Sequence, residues 1–147
     1  MPTIYLNIGT NLGDRQENIN KAISLIEKEL NCTTSSRSEI FESEPWGFIS
    51  RNHFYNICIA LESDINPFRL LTVIKGIEKK MGGSVHRTPY GEYTDRIIDI
   101  DIIAIDDLII ESPELTIPHP RLMEREFFLA PLKQVAPSWV HPSGKQN

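Results

Sequence analysis

The sequence predicts an α+β fold built on one antiparallel sheet, and three features of it carry that expectation. Apolar residues alternate with period two at 3–8, 54–61 and 97–104, they recur at helical period at 15–30 and again after Asn66-Pro67, and turn-forming residues cluster between these stretches. The resulting order, β-α-β-β-α-β with C-terminal additions, is the split βαβ arrangement of ferredoxin-like domains. Both helices then cover one face of the sheet, and the other face stays open unless extra segments cover it. The chain has 147 residues with no internal repeat, low-complexity tract or dividing linker, so residues 1–147 read as a single domain.

Each element has its own signal. At 3–8, Ile4, Leu6 and Ile8 share one side and Tyr5 and Asn7 the other, and 9–13 turns the chain. Asp14 and Glu17 have capping-box spacing ahead of Ile19, Ala22, Ile23, Ile26 and Leu30, a helix over 15–30. Residues 33–41 read as a second, more polar strand nearer an edge, followed by a loop with Pro45 and Gly47. In the third strand, 54–61, Tyr55, Ile57, Ile59 and Leu61 share a face opposite Phe54, Asn56, Cys58 and Ala60. Asn66-Pro67 caps a second helix marked by Leu70, Ile74, Ile77 and Met81 and ended by Gly82-Gly83. Residues 84–95 have no periodicity and read as a mobile loop; 97–104 is the fourth strand, turned at Asp106-Asp107 toward a short partner at 108–110. From Arg121 a short helix is expected, broken at Pro131.

Composition narrows the function. The formal charge of −5 argues against a nonspecific hold on nucleic acid or anionic lipid. No apolar run reaches membrane-span length and the first residues, MPTIYLNIGT, are not a secretory signal. Cys32 and Cys58 lack metal-ligand spacing and read as thiols in a reducing compartment, so the cytoplasm is the expected location. No apolar surface stripe calls for a partner chain, and a monomer is expected. There is neither a GxxxxGK[ST] nor a GxGxxG after a strand.

The chemistry concentrates in the fourth strand. Ile98, Ile100 and Ile102 point one way, to the helix-covered core, and Ile97, Asp99, Asp101 and Ile103 the other, so both aspartates lie side by side on the open face. Two carboxylates that close repel unless a cation lies between them, and a pair of hard oxygen donors suits Mg²⁺. The alternative is a pair of solvated surface carboxylates, although Asp is disfavoured inside strands. The same alternation places Tyr5, Asn7, Phe54 and Asn56 on the open side, a surface for a flat, hydrogen-bonding ring. Arg87, Arg96, Arg121 and Arg125 are available for phosphate oxygens, and His119 is fixed between prolines in PHPR.

These segments, IGTNLGD, FESEPWG, FYN, DRIIDIDII and TIPHPRLMEREFFLAPL, resemble the 6-hydroxymethyl-7,8-dihydropterin pyrophosphokinases of folate biosynthesis over about residues 3–137. The combination R-x-x-D-x-D, PH and a downstream R-x-F is highly specific. The resemblance implies a ferredoxin-like enzyme that moves the β,γ-diphosphate of ATP to the pterin hydroxymethyl group and releases AMP, with two Mg²⁺ ions. Carried over by position, it implies Asp99 and Asp101 as metal ligands and, with Arg96, as the catalytic set, Asp99 also touching the pterin as the nearest candidate for a general base. It implies Phe54 and Phe127 sandwiching the pterin, Asn56 reading its amide edge, and backbone near Ser43 and Trp46 adding hydrogen bonds. ATP would contact Arg87, Arg96, His119 and Arg125 through its phosphates, and Leu71, Ile102, Leu115 and Thr116 would border adenine and ribose. The loop 84–95 would close over ATP and exclude water.

The sequence departs from the family there. Of the two arginines that often follow the glycine ending the second helix, the first is missing, and Arg87 takes the role of the second from a shifted position in a loop a few residues longer; its aromatic is Tyr90 or Tyr93, and Pro120 follows the PH histidine. Two rival readings are an RNA-binding sheet that stacks bases on Tyr5 and Phe54, and a regulatory domain without catalysis. The carboxylate pair opposes the first, and the second leaves the arginines and the PH motif unexplained.

Overall fold

β1 (Thr3–Thr10) lies at the heart of the sheet, with Ile4, Leu6 and Ile8 wholly buried on one face. It pairs antiparallel with β4 (Phe54–Glu62) on one side and β5 (Asp99–Ile105) on the other. β2 (Thr34–Arg37) and β3 (Phe41–Ser43) both pair with β4, and the order β2-β4-β1-β5 is the expected ferredoxin-like one. The computed structural model describes residues 1–43, 53–82 and 97–144. The loop 84–95, Pro45, Gly47 and Gly83, like Trp46, Arg87 and Arg96, lie outside them.

Two helices cover the isoleucine face. α1 (Arg15–Leu30) begins where Asp14 accepts the Glu17 amide proton at 3.1 Å and ends at Asn31, whose left-handed backbone (φ 50°) closes the last turn. α2 (Pro67–Lys80) begins where the Asn66 side chain accepts from the amides of Phe68 and Arg69, and Gly82 (φ 72°) follows its C-terminus. Ile19, Ala22 and Ile26 from α1 and Leu70, Ile74 and Ile77 from α2 meet Ile57, Ile59, Leu61, Ile98, Ile100 and Ile102 from the sheet in one cluster. Each of the isoleucine and leucine side chains here, buried, contributes about 1.5–3 kcal/mol of transfer free energy, which makes this layer the main source of stability.

Several elements differ from the sequence reading. The strand expected over 33–41 is two strands, because in-register continuation from the Arg37–Ile59 pair would bring Ile40 opposite Asn56, whereas Phe41 is there. The extra residue lies around Ser38, which is buried and whose hydroxyl accepts the Cys58 amide proton at 3.0 Å. β5 is bulged at Ile103: Leu6 faces Ile102 and Tyr5 faces Ala104. Beyond the bulge the alternation inverts, so Ile105 joins the helix-side core while Ala104 joins Ile103 on the opposite face. The partner expected at 108–110 is not paired with β5; β6 (Ile110–Glu111) pairs with β7 (Thr116–Ile117), and Leu108 and Ile109 are exposed.

Pro131 does not break the last helix either. α3 (Glu126–Val135) runs through it after a single 3₁₀ turn at Leu122–Glu124. Its Phe128, Leu129 and Leu132, with Leu122, pack on Cys58, Ile103 and Ala104 and cover half of the second sheet face. Tyr5 belongs to this second cluster, and burial, with Asp106 and Cys58 adding smaller effects, raises its phenol pKa. It lies under α3 and not on an open surface. The other half of that face, around Gly9, Asn56 and Asp99, is where the expected site residues collect.

Both cysteines are free. Burial pushes the Cys58 thiol up to about 12, and burial followed by the nearby Glu27 raises Cys32 less far. At pH 8 a disulfide reagent should therefore modify Cys32 slowly and Cys58 only after unfolding in denaturant. Fast reaction of both thiols in the native protein would contradict this packing.

Candidate active site

The position of the aspartate pair follows from how β5 is held. Asp99 is opposite Gly9 and Asp101 opposite Asn7 on β1, and both aspartates are half-buried on the face away from the isoleucine core. From the core side, the buried Glu78 of α2 accepts the Ile100 amide proton at 2.8 Å through Oε2, while Oε1 faces the Lys75 ammonium at 3.6 Å. Burial raises the Glu78 pKa, and the Asp101 charge adds to that, while the Ile100 and Lys75 contacts oppose it. A helix carboxylate thus grips the backbone between the two aspartates.

On one side of the pair is a polar corner. Asn56 is buried, and its Nδ2 donates to Ser43 Oγ at 2.8 Å. Gly9 makes this possible: a Cβ there would lie 3.1 Å from Asn56 Oδ1 and 3.6 Å from the Phe54 ring. Phe54 and Phe127 are both half-buried, the first at the start of β4 and the second in the first turn of α3. The Phe127 carbonyl accepts from Asn7 Nδ2 at 3.0 Å.

On the other side the edge of β5 borders a hollow of about 210 Å³. Leu71, Lys75, Asp101, Ile102, Leu115, Thr116 and His119 line it, together with Glu114 and the prolines flanking this segment. His119 is locked in place. Its amide donates to the carbonyl of the bulged Ile103 at 2.9 Å, and the Arg121 amide donates to Nδ1 at 3.1 Å. A neutral ring therefore carries its proton on Nε2, which is 3.7 Å from Asp101 Oδ1. The buried Phe128 ring joins the neighbours: His119 and Phe127 meet it edge-on at 4.8 and 4.9 Å, and the Arg125 guanidinium is 5.2 Å from its centre.

Whether this donor set suits a metal can be judged from its chemistry. Among the described residues no cluster of three or more His, Cys, Asp or Glu surrounds a point. Two carboxylates with no thiolate leave most coordination positions to water and phosphate oxygens, which fits Mg²⁺ and does not fit a closed zinc centre.

Of the residues singled out from the sequence, Ser43, Phe54, Asn56, Asp99, Asp101 and Phe127 are grouped at the polar corner and its margins. Leu71, Ile102, Leu115, Thr116 and His119 share the hollow, with Arg125 beside Phe128. Sequence reasoning overlooked Glu78, Gly9, Lys75 and Phe128. Glu78 had a visible signal, a carboxylate within the buried helical stripe of Ile74, Ile77 and Met81. Ser43 was expected to act through its backbone; in the structure its hydroxyl orients Asn56.

Gly9→Ala should push the Asn56 side chain back by a few tenths of an ångström. It should cost about 1–3 kcal/mol of stability, as core overpacking does, and weaken the hold of the corner on a flat, hydrogen-bonding ring while binding in the hollow changes little. Denaturant melts and binding titrations on the purified variant check both, and unchanged binding of the ring ligand would contradict the geometry around Asn56.

The family model described as 7,8-dihydro-6-hydroxymethylpterin-pyrophosphokinase (HPPK) matches residues 5–137. A 2-amino-4-hydroxy-6-hydroxymethyldihydropteridine pyrophosphokinase of Porphyromonas gingivalis is 38% identical over 143 residues, 97% of this chain and 95% of the relative. A folic acid synthesis protein of Dictyostelium discoideum is 40% identical over 140 residues, 95% of this chain, although the chain spans 20% of that longer protein. A crystal structure of an HPPK-DHPS in complex with substrates superposes with a TM-score of 0.72 at 15% identity, covering 99% of this chain and 42% of that one, and shares the fold. The chain belongs to the 7,8-dihydro-6-hydroxymethylpterin-pyrophosphokinase family.

Proposed function

We propose that this chain transfers the β,γ-diphosphate of ATP to the hydroxymethyl group of 6-hydroxymethyl-7,8-dihydropterin, giving AMP and the dihydropterin diphosphate, a step in folate biosynthesis. The observation that carries the reading is the junction on β5: Asp99 faces the corner built by Gly9 and Asn56, and Asp101 lines the adjoining hollow. Two substrates seated in these neighbouring places would meet at the aspartate pair.

The roles follow from position. Asn56, oriented by Ser43, would read the amide edge of the pterin, with Phe54 and Phe127 against its faces and Trp46 nearby in sequence. Leu71, Ile102, Leu115 and Thr116 would take the adenine and ribose. His119, which presents Nε2–H when neutral, and Arg125 would donate to phosphate oxygens, as would Arg87 and Arg96. Asp99 and Asp101 would hold two Mg²⁺ ions, which neutralise phosphate charge when bound. Transfer then needs alignment above all: the alcohol oxygen forms a bond to Pβ, the bond from Pβ to the α,β-bridging oxygen breaks, and AMP leaves. Asp99 is the nearest acceptor for the alcohol proton.

The same reading takes residues 1–147 as one domain acting as a cytoplasmic monomer. The formal charge of −5 is against a nonspecific hold on nucleic acid or anionic lipid. Among the described residues no helix is long and apolar enough to cross a membrane. α3 covers Tyr5, which removes half of the aromatic platform an RNA-binding sheet would need.

The protein incubated with ATP, Mg²⁺ and the hydroxymethyl dihydropterin should yield AMP. ADP as the nucleotide product, or no turnover by folded protein, would overturn the proposal. Asp99→Ala and Asp101→Ala should each lower kcat by about a hundredfold or more with unchanged melting behaviour. Two active variants would refute the metal assignment.

A further inference from the structure

We infer that Asn7 is a positioning residue: it holds the first turn of α3, and with it the Phe127 ring, at a set distance from the sheet. Pro131 lies inside α3, and proline has no amide proton to give the carbonyl four residues earlier. That carbonyl belongs to Phe127. Asn7 Nδ2 donates to it at 3.0 Å from the sheet, so the donor missing from the helix is supplied by β1. Asn7 is 2% exposed and stands in register between Cys58 on β4 and Asp101 on β5. The proline and the amide therefore act as one device. Pro131 leaves the Phe127 carbonyl without its helical donor, and Asn7 supplies one from β1, one strand away from the aspartate pair.

The functional consequence rests on the reading that Phe127 lies against the pterin. A carbonyl released by proline and not caught would let the first turn of α3 drift, and the gap between the Phe127 ring and the sheet would widen. The nucleotide hollow is lined from α2, β5 and the segment around β7, and neither Asn7 nor Phe127 is among its lining residues. Loss of Asn7 should thus fall on one substrate and spare the other.

The test is a double-mutant cycle in the full chain. Asn7→Leu keeps the size of the side chain and removes the donor; Pro131→Ala returns an amide proton to α3. Asn7→Leu should raise the pterin KM by about three- to tenfold, the worth of one buried hydrogen bond, and leave the ATP KM within about twofold of the parent. In the Pro131→Ala background the same substitution should have little effect on the pterin KM. A lower melting temperature with the pterin KM unchanged would reduce Asn7 to a structural role and overturn the inference. An equal rise of the pterin KM in both backgrounds would overturn it too, because the carbonyl of Phe127 would then be irrelevant. If Asn7→Leu fails to fold alone but folds in the Pro131→Ala background with the pterin KM of Pro131→Ala itself, the coupling is shown by that rescue; a rise of the pterin KM there by about threefold or more overturns the inference. Phe127→Ala separates the two levels: an unchanged pterin KM there refutes the site reading, whereas a raised one with no effect of Asn7→Leu refutes the positioning role.

Discussion

β5 carries carboxylates on one side and isoleucines on the other, and its backbone must be held from both directions for that arrangement to matter. β1 pairs along one edge, and Glu78 grips the Ile100 amide from the helical layer. Ile98, Ile100 and Ile102 anchor in the core, so a shift of one residue would bury both aspartates and expose the isoleucines. The large apolar layer thereby sets the orientation of a small polar site. Stability and the geometry of the aspartates are consequences of the same register.

The second face shows how half a sheet is closed and half is kept free. α3 packs on Cys58, Ile103 and Ala104, and its burial also places Phe127, Phe128 and Arg125 at the boundary. The bulge at Ile103 does two things at once. It inverts the alternation so that the strand ends in apolar contact on both faces, and its carbonyl pins the His119 backbone. Through the Arg121 amide the ring orientation follows, so His119 is placed by backbone contacts on both sides of it.

Much of this was legible in the sequence. The caps at Asp14 and Asn66, the isoleucine faces and the side of β5 that bears Asp99 and Asp101 are local consequences of period and turn chemistry. What could not be read depends on a third dimension. Bulges near Ser38 and at Ile103 arise from register between strands far apart in sequence. Pro131 looked like a helix breaker because its compensation, Asn7, is 124 positions away by residue number. Tyr5 alternates with the core residues and so looked open, but α3 arrives over it from the other end of the chain. The family resemblance proposes the site residues as a set; the supporting contacts of Gly9, Glu78 and Phe128 come from packing.

The central claim is that Asp99 and Asp101 hold divalent metal together with the triphosphate of a nucleotide seated beside β5. Manganese(II) in place of magnesium, titrated into the protein and followed by electron paramagnetic resonance with a non-hydrolysable ATP analogue, addresses it directly. The account predicts that bound Mn²⁺ increases strongly when protein and analogue are both present, and that Asp99→Asn and Asp101→Asn each reduce this gain to that of the analogue alone. Undiminished Mn²⁺ binding in both variants would contradict it.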